Sequence, residues 1–302
     1  MKILVTGGTG FLGRHLIETL SKKFEVYLSN TKQANLHYYE EFCNYFEGNQ
    51  FDFIYHLAAK TKAGDYCLTH KGEQWIDNQL LNTNILRYWV EKQPQSKMIC
   101  MGTSCMYQPS EEFLKEEDCC IGDPDPGLKT YALTKRMLLN GLQSISEQYG
   151  MKFVYFIPST LYGPKFDLND SHFIFDLIKK IYNGKRYNDN VILWGDGHQR
   201  RELIYIEDVI KIICQLSSLE NEVINLGTGV DGSIREFASY VSQNVGYDES
   251  KIHYDTLKYV GAKIKILNPR KLKSLMPSDF KFTSLDEGIK KTIEFYTQQM
   301  ES

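Results

Sequence analysis

The stretch Lys2-Ile3-Leu4-Val5-Thr6-Gly7-Gly8-Thr9-Gly10-Phe11-Leu12-Gly13 decides the architecture of this 302-residue chain. Its first five residues are an apolar, β-prone run. Gly7, Gly10 and Gly13 follow at the spacing G-x-x-G-x-x-G, and a helix-like segment comes next. A tight strand-to-helix turn needs a residue that tolerates positive φ. A backbone that approaches a pyrophosphate has no room for Cβ atoms, and the helix N-terminus then offers free N–H groups and a favourable dipole. The stretch is expected to be the phosphate turn of a dinucleotide site, with Gly7, Thr9, Gly10, Phe11, Leu12 and Gly13 against the cofactor.

Outward from it, short apolar runs alternate with helix-period segments. Strands are expected at residues 2–6, 24–29, 53–57, 97–102 and 152–157, and helices at 13–22, 38–44, 78–91 and 132–149. Such alternation indicates a parallel sheet with helices on both faces. The expected class is α/β: a Rossmann-type doubly wound parallel sheet with a smaller C-terminal α/β substrate lobe. Residues 191–194 and 223–225 read as two further strands, and 172–183, 206–216, 234–243 and 285–301 as helices. The expected division is 1–160 for the cofactor domain, with part of 190–230 returning to it, and 161–302 for the substrate lobe. No low-complexity tether separates them.

The bulk composition narrows the function. Hydrophobic residues make up 42% and charged residues 24%, as in soluble globular proteins. A net charge of −3 lacks the clustered basic footprint of a nucleic-acid binder. No apolar run approaches the roughly 20 residues that span a bilayer, and Met1–Gly10 is expected to be a strand entering a turn, not a signal peptide. The seven cysteines form no C-x-x-C pair, and Cys119 and Cys120 are adjacent. Reduced thiols of a cytoplasmic protein are expected, and no metal, since no histidine pair has ligand spacing.

The end of the second strand selects the dinucleotide. NAD binders usually place an acid there for the ribose 2′-OH. Here the strand ends in Ser29-Asn30-Thr31-Lys32, so Asn30 and Lys32 are expected to accept a 2′-phosphate and the cofactor to be NADP. Tyr131 and Lys135 stand four residues apart, on one face of a helix. The ammonium is expected to lower the phenol's pKa and make it a working acid or base. Thr103 ends the strand at 97–102, where open parallel sheets do their chemistry, and is expected to bond a substrate oxygen opposite Tyr131.

These residues resemble the extended short-chain dehydrogenase/reductases of the nucleotide-sugar epimerase/dehydratase group. The resemblance also rests on His56-Leu57-Ala58-Ala59, Thr103 with Tyr107, Leu161-Tyr162-Gly163-Pro164 and Asn225-Leu226-Gly227, in the family's order over residues 1 to about 230. It implies that Thr103, Tyr131 and Lys135 work with a nicotinamide. It also implies that Leu57, Ala58, Ala59, Pro158, Thr160 and Leu161 line the cofactor, and that the C-terminal lobe binds a sugar nucleotide. Within the family, Gly102–Tyr107, Pro158–Pro164, Asp170-Ser171-His172, Trp194–Gly197 and Arg201-Glu202 are similar to the GDP-L-fucose synthase group. That group epimerises C3 and C5 of a GDP-4-keto-6-deoxy sugar and then reduces the C4 ketone with NADPH. The resemblance implies that Cys105 and His172 are the epimerisation acid/base groups and that Ser104, Lys180, Trp194 and Arg201 bind substrate. It implies that Lys263 or Lys265 replaces an arginine on the pyrophosphate, and that the enzyme is a homodimer packed through two long helices. Thr61–Leu68 and Lys165–Ser171 depart from the group, a pattern that suits another GDP-4-keto sugar, such as a heptose, as well as a hexose. A redox-neutral epimerase or dehydratase holding NAD is the alternative. Dehydratases of the family carry Asp-Glu where Ser104 and Cys105 stand, which speaks against dehydration. A non-catalytic dinucleotide-binding regulator would have no need of Thr103, Tyr131 and Lys135 together.

Overall fold

The computed structural model describes residues 1–62 and 65–301. In chain order the elements are β1 (Lys2–Thr6), α1 (Phe11–Leu20), β2 (Glu25–Ser29), α2 (Tyr39–Tyr45), β3 (Phe53–His56), α3 (Asp65–Thr69), α4 (Lys71–Lys92), β4 (Lys97–Met101), α5 (Lys129–Tyr149), β5 (Phe153–Pro158) and β6 (Thr160–Tyr162). They continue as α6 (Phe173–Tyr187), β7 (Val191–Trp194), β8 (Arg200–Tyr205), α7 (Ile206–Leu216), β9 (Glu222–Leu226), β10 (Asp231–Ser233), α8 (Ile234–Val245), β11 (Ile252–Asp255), β12 (Ile264–Lys265), α9 (Arg270–Leu275) and α10 (Leu285–Glu301).

Six strands form one parallel sheet in the order β2-β1-β3-β4-β5-β9. Both faces are covered, so successive residues of a strand enter opposite cores. In β1, Leu4 joins Ile54, Met98, Tyr155 and Trp89 beneath α2, α4 and α5. Ile3 and Val5 join Val154, Phe156, Leu16 and Ile213 beneath α1 and α7. The second lobe has its own core, in which Phe175, Ile178, Phe237, Val241 and Ile289 bring together α6, α8 and α10. Its central strand, β8, pairs with β6 and β12 in parallel and with β10 antiparallel.

The structure moves some expected boundaries. Of the 190–230 region, β9 joins the large sheet and α7 packs on it together with Ile204 of β8; β7 pairs with β11 in a separate two-stranded sheet. Helix α4 begins at Lys71, seven residues before the expected 78. Its first two turns lack an apolar stripe and are tied down by tertiary contacts: Lys60 Nζ meets Asp77 at 2.5 Å, and Lys60 N–H donates to Asn78 Oδ1 at 2.8 Å. Strands β6, β8, β10, β11 and β12 are two to six residues long and rich in polar side chains, too short to show a period. The departing segment at 61–68 includes residues 63 and 64, which lie outside the described residues.

The glycine turn meets the constraint read from the sequence. Gly7 has φ +71°, and a Cβ there would lie 2.6 Å from the Ala58 nitrogen at the end of β3. A Cβ on Gly13 would lie 2.5 Å from the Gly7 carbonyl oxygen. The turn can therefore pack against both β3 and α1 only with bare backbone. Gly7→Ala is expected to cost roughly 2 kcal/mol or more, from the left-handed backbone and the clash together. Urea unfolding monitored by tryptophan fluorescence measures it, and an unchanged midpoint would remove this account of the turn.

Candidate active site

The expected cofactor residues outside the helices lie in the segments that follow the C-terminal ends of β1, β2, β3 and β5. Helix α1 starts at Phe11 with Gly10 as its N-cap; no side chain caps it and no acid occupies its first turn. The first N–H groups, on Phe11, Leu12 and Gly13, are therefore left for an external anion. Leu57, Ala58 and Ala59 leave β3 beside the turn, with Leu57 N–H on the Thr6 carbonyl at 3.1 Å and Ala58 N–H on Thr6 Oγ1 at 3.3 Å. Pro158 closes β5, and Thr160 and Leu161 open β6. The turn after β2 is shaped by Asn30, whose Oδ1 accepts the N–H groups of Lys32 at 2.8 Å and Gln33 at 2.9 Å. Asn30 thus builds the loop, and the exposed Lys32 is the charge this loop offers a 2′-phosphate. The bare turn, the uncapped helix end and the acid-free β2 end fit a dinucleotide phosphate chain.

A buried hydrogen-bond chain joins this turn to α5. Thr6 Oγ1 meets His56 Nδ1 at 2.8 Å, His56 Nε2 meets Asn82 Oδ1 at 3.3 Å, and Asn82 Nδ2 donates to the Thr134 carbonyl at 3.1 Å. The carbonyl oxygen of Asn82 assigns the His56 proton to Nε2, so Thr6 donates to Nδ1. Burial, reinforced by Lys135, lowers the His56 pKa to about 3, so the imidazole is neutral, as this pattern needs.

Thr134 precedes Lys135, and Tyr131 lies one turn earlier on α5. Lys135 Nζ is 5.9 Å from the Tyr131 ring centroid. Burial lowers the ammonium to about 8, while the Cys100 thiol acts in the opposite sense. The expected effect of Lys135 on the phenol needs correction. Burial first, then the nearby Cys105 and Cys67, push the Tyr131 pKa up rather than down. Beside Tyr131, the ammonium does not offset the desolvation of a phenolate, so the phenol stays protonated. Helix α5 is also pinned from below. Tyr155 donates to the Lys135 carbonyl at 2.8 Å, and a Cβ on Gly102 would lie 2.6 Å from the Tyr155 ring. That close contact is why a glycine follows β4.

Thr103 caps a short 3₁₀ turn at Ser104–Met106; its Oγ1 accepts the Cys105 N–H at 3.2 Å. The cap uses the hydroxyl oxygen and not its proton. Ser104 is buried, and Cys105 is partly exposed with Lys265 Nζ 3.5 Å from its Sγ. Lys263, the other candidate for the pyrophosphate, lies 3.9 Å from Glu111. Burial pushes the Cys67 thiol, from the departing segment, above its ordinary pKa against a Gln74 hydrogen bond, and the nearby Cys105 adds to the rise. Tyr107 and Asn225 have a structural part: Tyr107 donates to Asn225 Oδ1 at 2.7 Å, fixing the chain after the turn to β9.

From the second lobe, Arg201 is adjacent to Lys265 in the β8–β12 pairing. Its guanidinium donates to the carbonyls of Arg200, Ala262 and Val260 at 2.7–2.9 Å, and burial lowers its pKa against the opposing effects of Cys105 and Asp125. Arg201 therefore holds the loop at 260–262 across the site. The same loop brings Tyr259 to Asp125 and puts Lys258 Nζ 5.6 Å from the Trp194 ring centroid. Sequence reading missed Asp125, Tyr259 and Lys258, which carry no motif. His172 caps α6, and its Nδ1 meets Asp170 Oδ1 at 2.5 Å. The carboxylate accepts the hydrogen bond of Nδ1–H, which places the lone pair of the neutral ring on Nε2. Burial opposes the Asp170 charge, yet the His172 hydrogen bonds and Lys179 hold its pKa below the usual range. No hydrogen bond or ion pair links His172 to Cys105 among the described residues. Lys180 is paired with Asp176 at 2.9 Å, so as a phosphate ligand it would have to leave that partner.

The model of the NAD dependent epimerase/dehydratase family matches residues 3–227. The chain belongs to that family. Within it, the chain is 28% identical over 311 residues to the GDP-L-fucose synthase of Dictyostelium discoideum, covering 99% of this chain and 96% of that one. It is also 28% identical over 311 residues to the GDP-L-colitose synthase of Yersinia pseudotuberculosis, covering 99% of both. The solved structure of a GDP-L-fucose synthetase from Naegleria fowleri bound to NADP superposes with a TM-score of 0.86 at 24% identity, over all of this chain and 95% of that one. The fold is that of the family. Among the described residues no helix is long and apolar enough to cross a membrane.

Glu202 is buried beside Arg201. It accepts the N–H groups of Leu267 at 2.9 Å and Gly229 at 2.6 Å, and burial raises its carboxyl to about 7 despite them. A raised carboxyl pKa contributes stability below the unfolded value of 4.5, and that stability is lost as pH rises through about 7. Across that window the wild type should lose up to about 3 kcal/mol relative to Glu202→Gln. Urea midpoints of both proteins from pH 5 to 8 check this, and parallel pH curves would refute it.

Proposed function

We propose that this chain is an NADPH-dependent C4-keto reductase of a GDP-4-keto-6-deoxy hexose or related heptose, with a C3/C5 epimerase step at the same site. The observation that carries the proposal is the convergence of Thr103, Tyr131 and Cys105 at the carboxyl end of β4, beside a glycine turn made for a dinucleotide. The names of the full-length relatives, a GDP-L-fucose synthase and a GDP-L-colitose synthase, support a GDP-sugar.

The dinucleotide, when bound, supplies hydride to the sugar C4. Gly7, Thr9, Gly10, Phe11, Leu12 and Gly13 would hold its diphosphate, Lys32 its 2′-phosphate, and Leu57, Ala58, Ala59, Pro158, Thr160 and Leu161 its remaining length. Thr103 and Tyr131 donate hydrogen bonds to the C4 oxygen and stabilise negative charge there. The Tyr131 phenol, held protonated by burial, gives its proton to that oxygen as reduction completes. In epimerisation the same two donors stabilise the enolate that forms when a C3 or C5 proton leaves. Cys105 and His172 Nε2 are the acid/base pair; Lys265 holds the thiol, and Asp170 fixes the imidazole. Trp194, Arg201, Ser104 and Lys180 are the substrate-binding set of this reading, and Lys180 would exchange Asp176 for a phosphate. The seven free thiols support a reducing, cytoplasmic setting.

Tyr131→Phe should lower NADPH consumption with a GDP-4-keto sugar by roughly 10²–10⁴-fold. Cys105→Ser should suppress deuterium uptake at C3 and C5 in heavy water while an already epimerised ketone is still reduced. NMR of the products separates the two steps. No NADPH oxidation with any GDP-4-keto hexose or heptose would sink the proposal, and equal deuterium uptake in Cys105→Ser and the parent would remove the thiol from the chemistry.

A homodimer packed through α4 and α5 belongs to the same proposal. It is supported by the exposed Trp75, Ile76 and Leu80 on α4 and Met137 on α5. Sedimentation should give twice the 35.0 kDa chain mass, and Ile76→Glu should shift it to monomer. A wild-type monomer would contradict it.

A further inference from the structure

Cys119 and Cys120 serve none of the roles above. Their Sγ atoms are 3.8 Å apart. Cys119 is buried in the same core as Met106 and Tyr107, and Cys120 is exposed. A hydrogen bond from Cys119, helped by the Arg136 guanidinium against the effect of burial, holds the Cys120 thiol below its ordinary pKa; the same bond pushes Cys119 up. The exposed sulfur is thus the nucleophile of the pair. An open pocket of about 270 Å³, lined by Asp118, Ile121, Tyr107 and Gln108, lies beside these residues.

Arg136 connects the pair to the active site. It donates to the carbonyls of Ile121 at 3.0 Å and Gly122 at 2.7 Å, directly after the two cysteines. Its Nε donates to the Met106 carbonyl at 2.8 Å, one residue past Cys105. We propose that Cys119 and Cys120 form a peroxide-sensitive vicinal dithiol whose oxidation is transmitted through Arg136 to the Cys105 turn. The Cys120 thiolate attacks a peroxide oxygen, the O–O bond breaks, and a sulfenic acid and hydroxide form; the hydroxide takes a proton to become water. The Cys119 sulfur then attacks the Cys120 sulfur, the S–O bond breaks and a second water leaves. Two thiols and one hydrogen peroxide give one disulfide and two waters. Neighbouring Cα atoms sit about 3.8 Å apart across a trans peptide, closer than the roughly 4.4–6.8 Å that disulfides usually span. Ring closure must therefore twist the 119–120 peptide. Gly122, at φ +63° with Gln108 packed against it, leaves little room to absorb the twist. The Ile121 and Gly122 carbonyls swing away, and Arg136 loses its hold on the turn.

The test uses the full chain, hydrogen peroxide at increasing dose, and tryptic mapping. Residues 116–129 form one tryptic peptide that carries both thiols and no other cysteine. This peptide should lose two hydrogens, reversibly with dithiothreitol, at doses that leave the exposed Cys214 reduced. Iodoacetamide should then label Cys105 roughly tenfold faster, the factor expected for one lost hydrogen bond to a charged group. Cys119→Ser/Cys120→Ser should hold the labelling rate constant under peroxide; Cys120→Ser alone, at an exposed position, gives the same test should the double variant misfold. Oxidation of Cys214 first, an oxidised peptide with unchanged Cys105 labelling, or an equal response in the variants would each overturn the proposal. The readout is a thiol's labelling rate rather than turnover, so its failure is distinct from failure of the reductase proposal.

Discussion

The buried chain Thr6–His56–Asn82–Thr134 is the constraint on which the rest of the site depends. It runs from the strand that feeds the phosphate turn, across β3 and α4, to the backbone of α5. One end sets where a dinucleotide would lie and the other where Tyr131 and Lys135 stand. Every link is satisfied, and the imidazole between them is neutral. A buried polar network of this kind fixes geometry more tightly than apolar contacts, because any displacement strands a polar group away from water.

Around that chain, side chains that look catalytic divide into those that present chemistry and those that hold it. Thr103 does both: its oxygen caps the turn carrying Cys105, and its proton stays available to a ligand. Tyr155 and Gly102 pin Lys135 from below, and Arg201 anchors the 260–262 loop. Burial does most of the electrostatic work. It keeps Tyr131 protonated, draws Lys135 down and raises Glu202, because a charge in each position would lose water without gaining a full partner.

Much of the large sheet was legible in the sequence. Strand β1, the glycine turn and helices α7 and α10 fall where hydrophobic period and turn residues place them, since both features are local. The beginning of α4 was not legible, because Lys60 and Asp77 hold it rather than an apolar stripe. Strands β10, β11 and β12 were hidden for a similar reason: two to four residues carry no measurable period, and only pairing with β7 or β8 makes them strands. The direction of the Tyr131 shift was misjudged because helical spacing gives proximity to Lys135 but not the depth of burial, and burial is the larger effect.

The sequence by itself determined the family and the phosphate turn, and it singled out Thr103, Cys105, Tyr131, Lys135 and His172 as candidates. These follow from local chemistry: glycine where Cβ cannot fit, and a phenol and an ammonium one helical turn apart. Only the tertiary structure decided that Lys265 rather than Lys263 meets Cys105, that Asp170 orients His172, that Lys180 is held by Asp176, and that Tyr259 closes on Asp125. These pairings join positions that sequence spacing cannot relate, or choose among local partners by orientation. They exist because burial and strand pairing leave each polar group a single place to be satisfied.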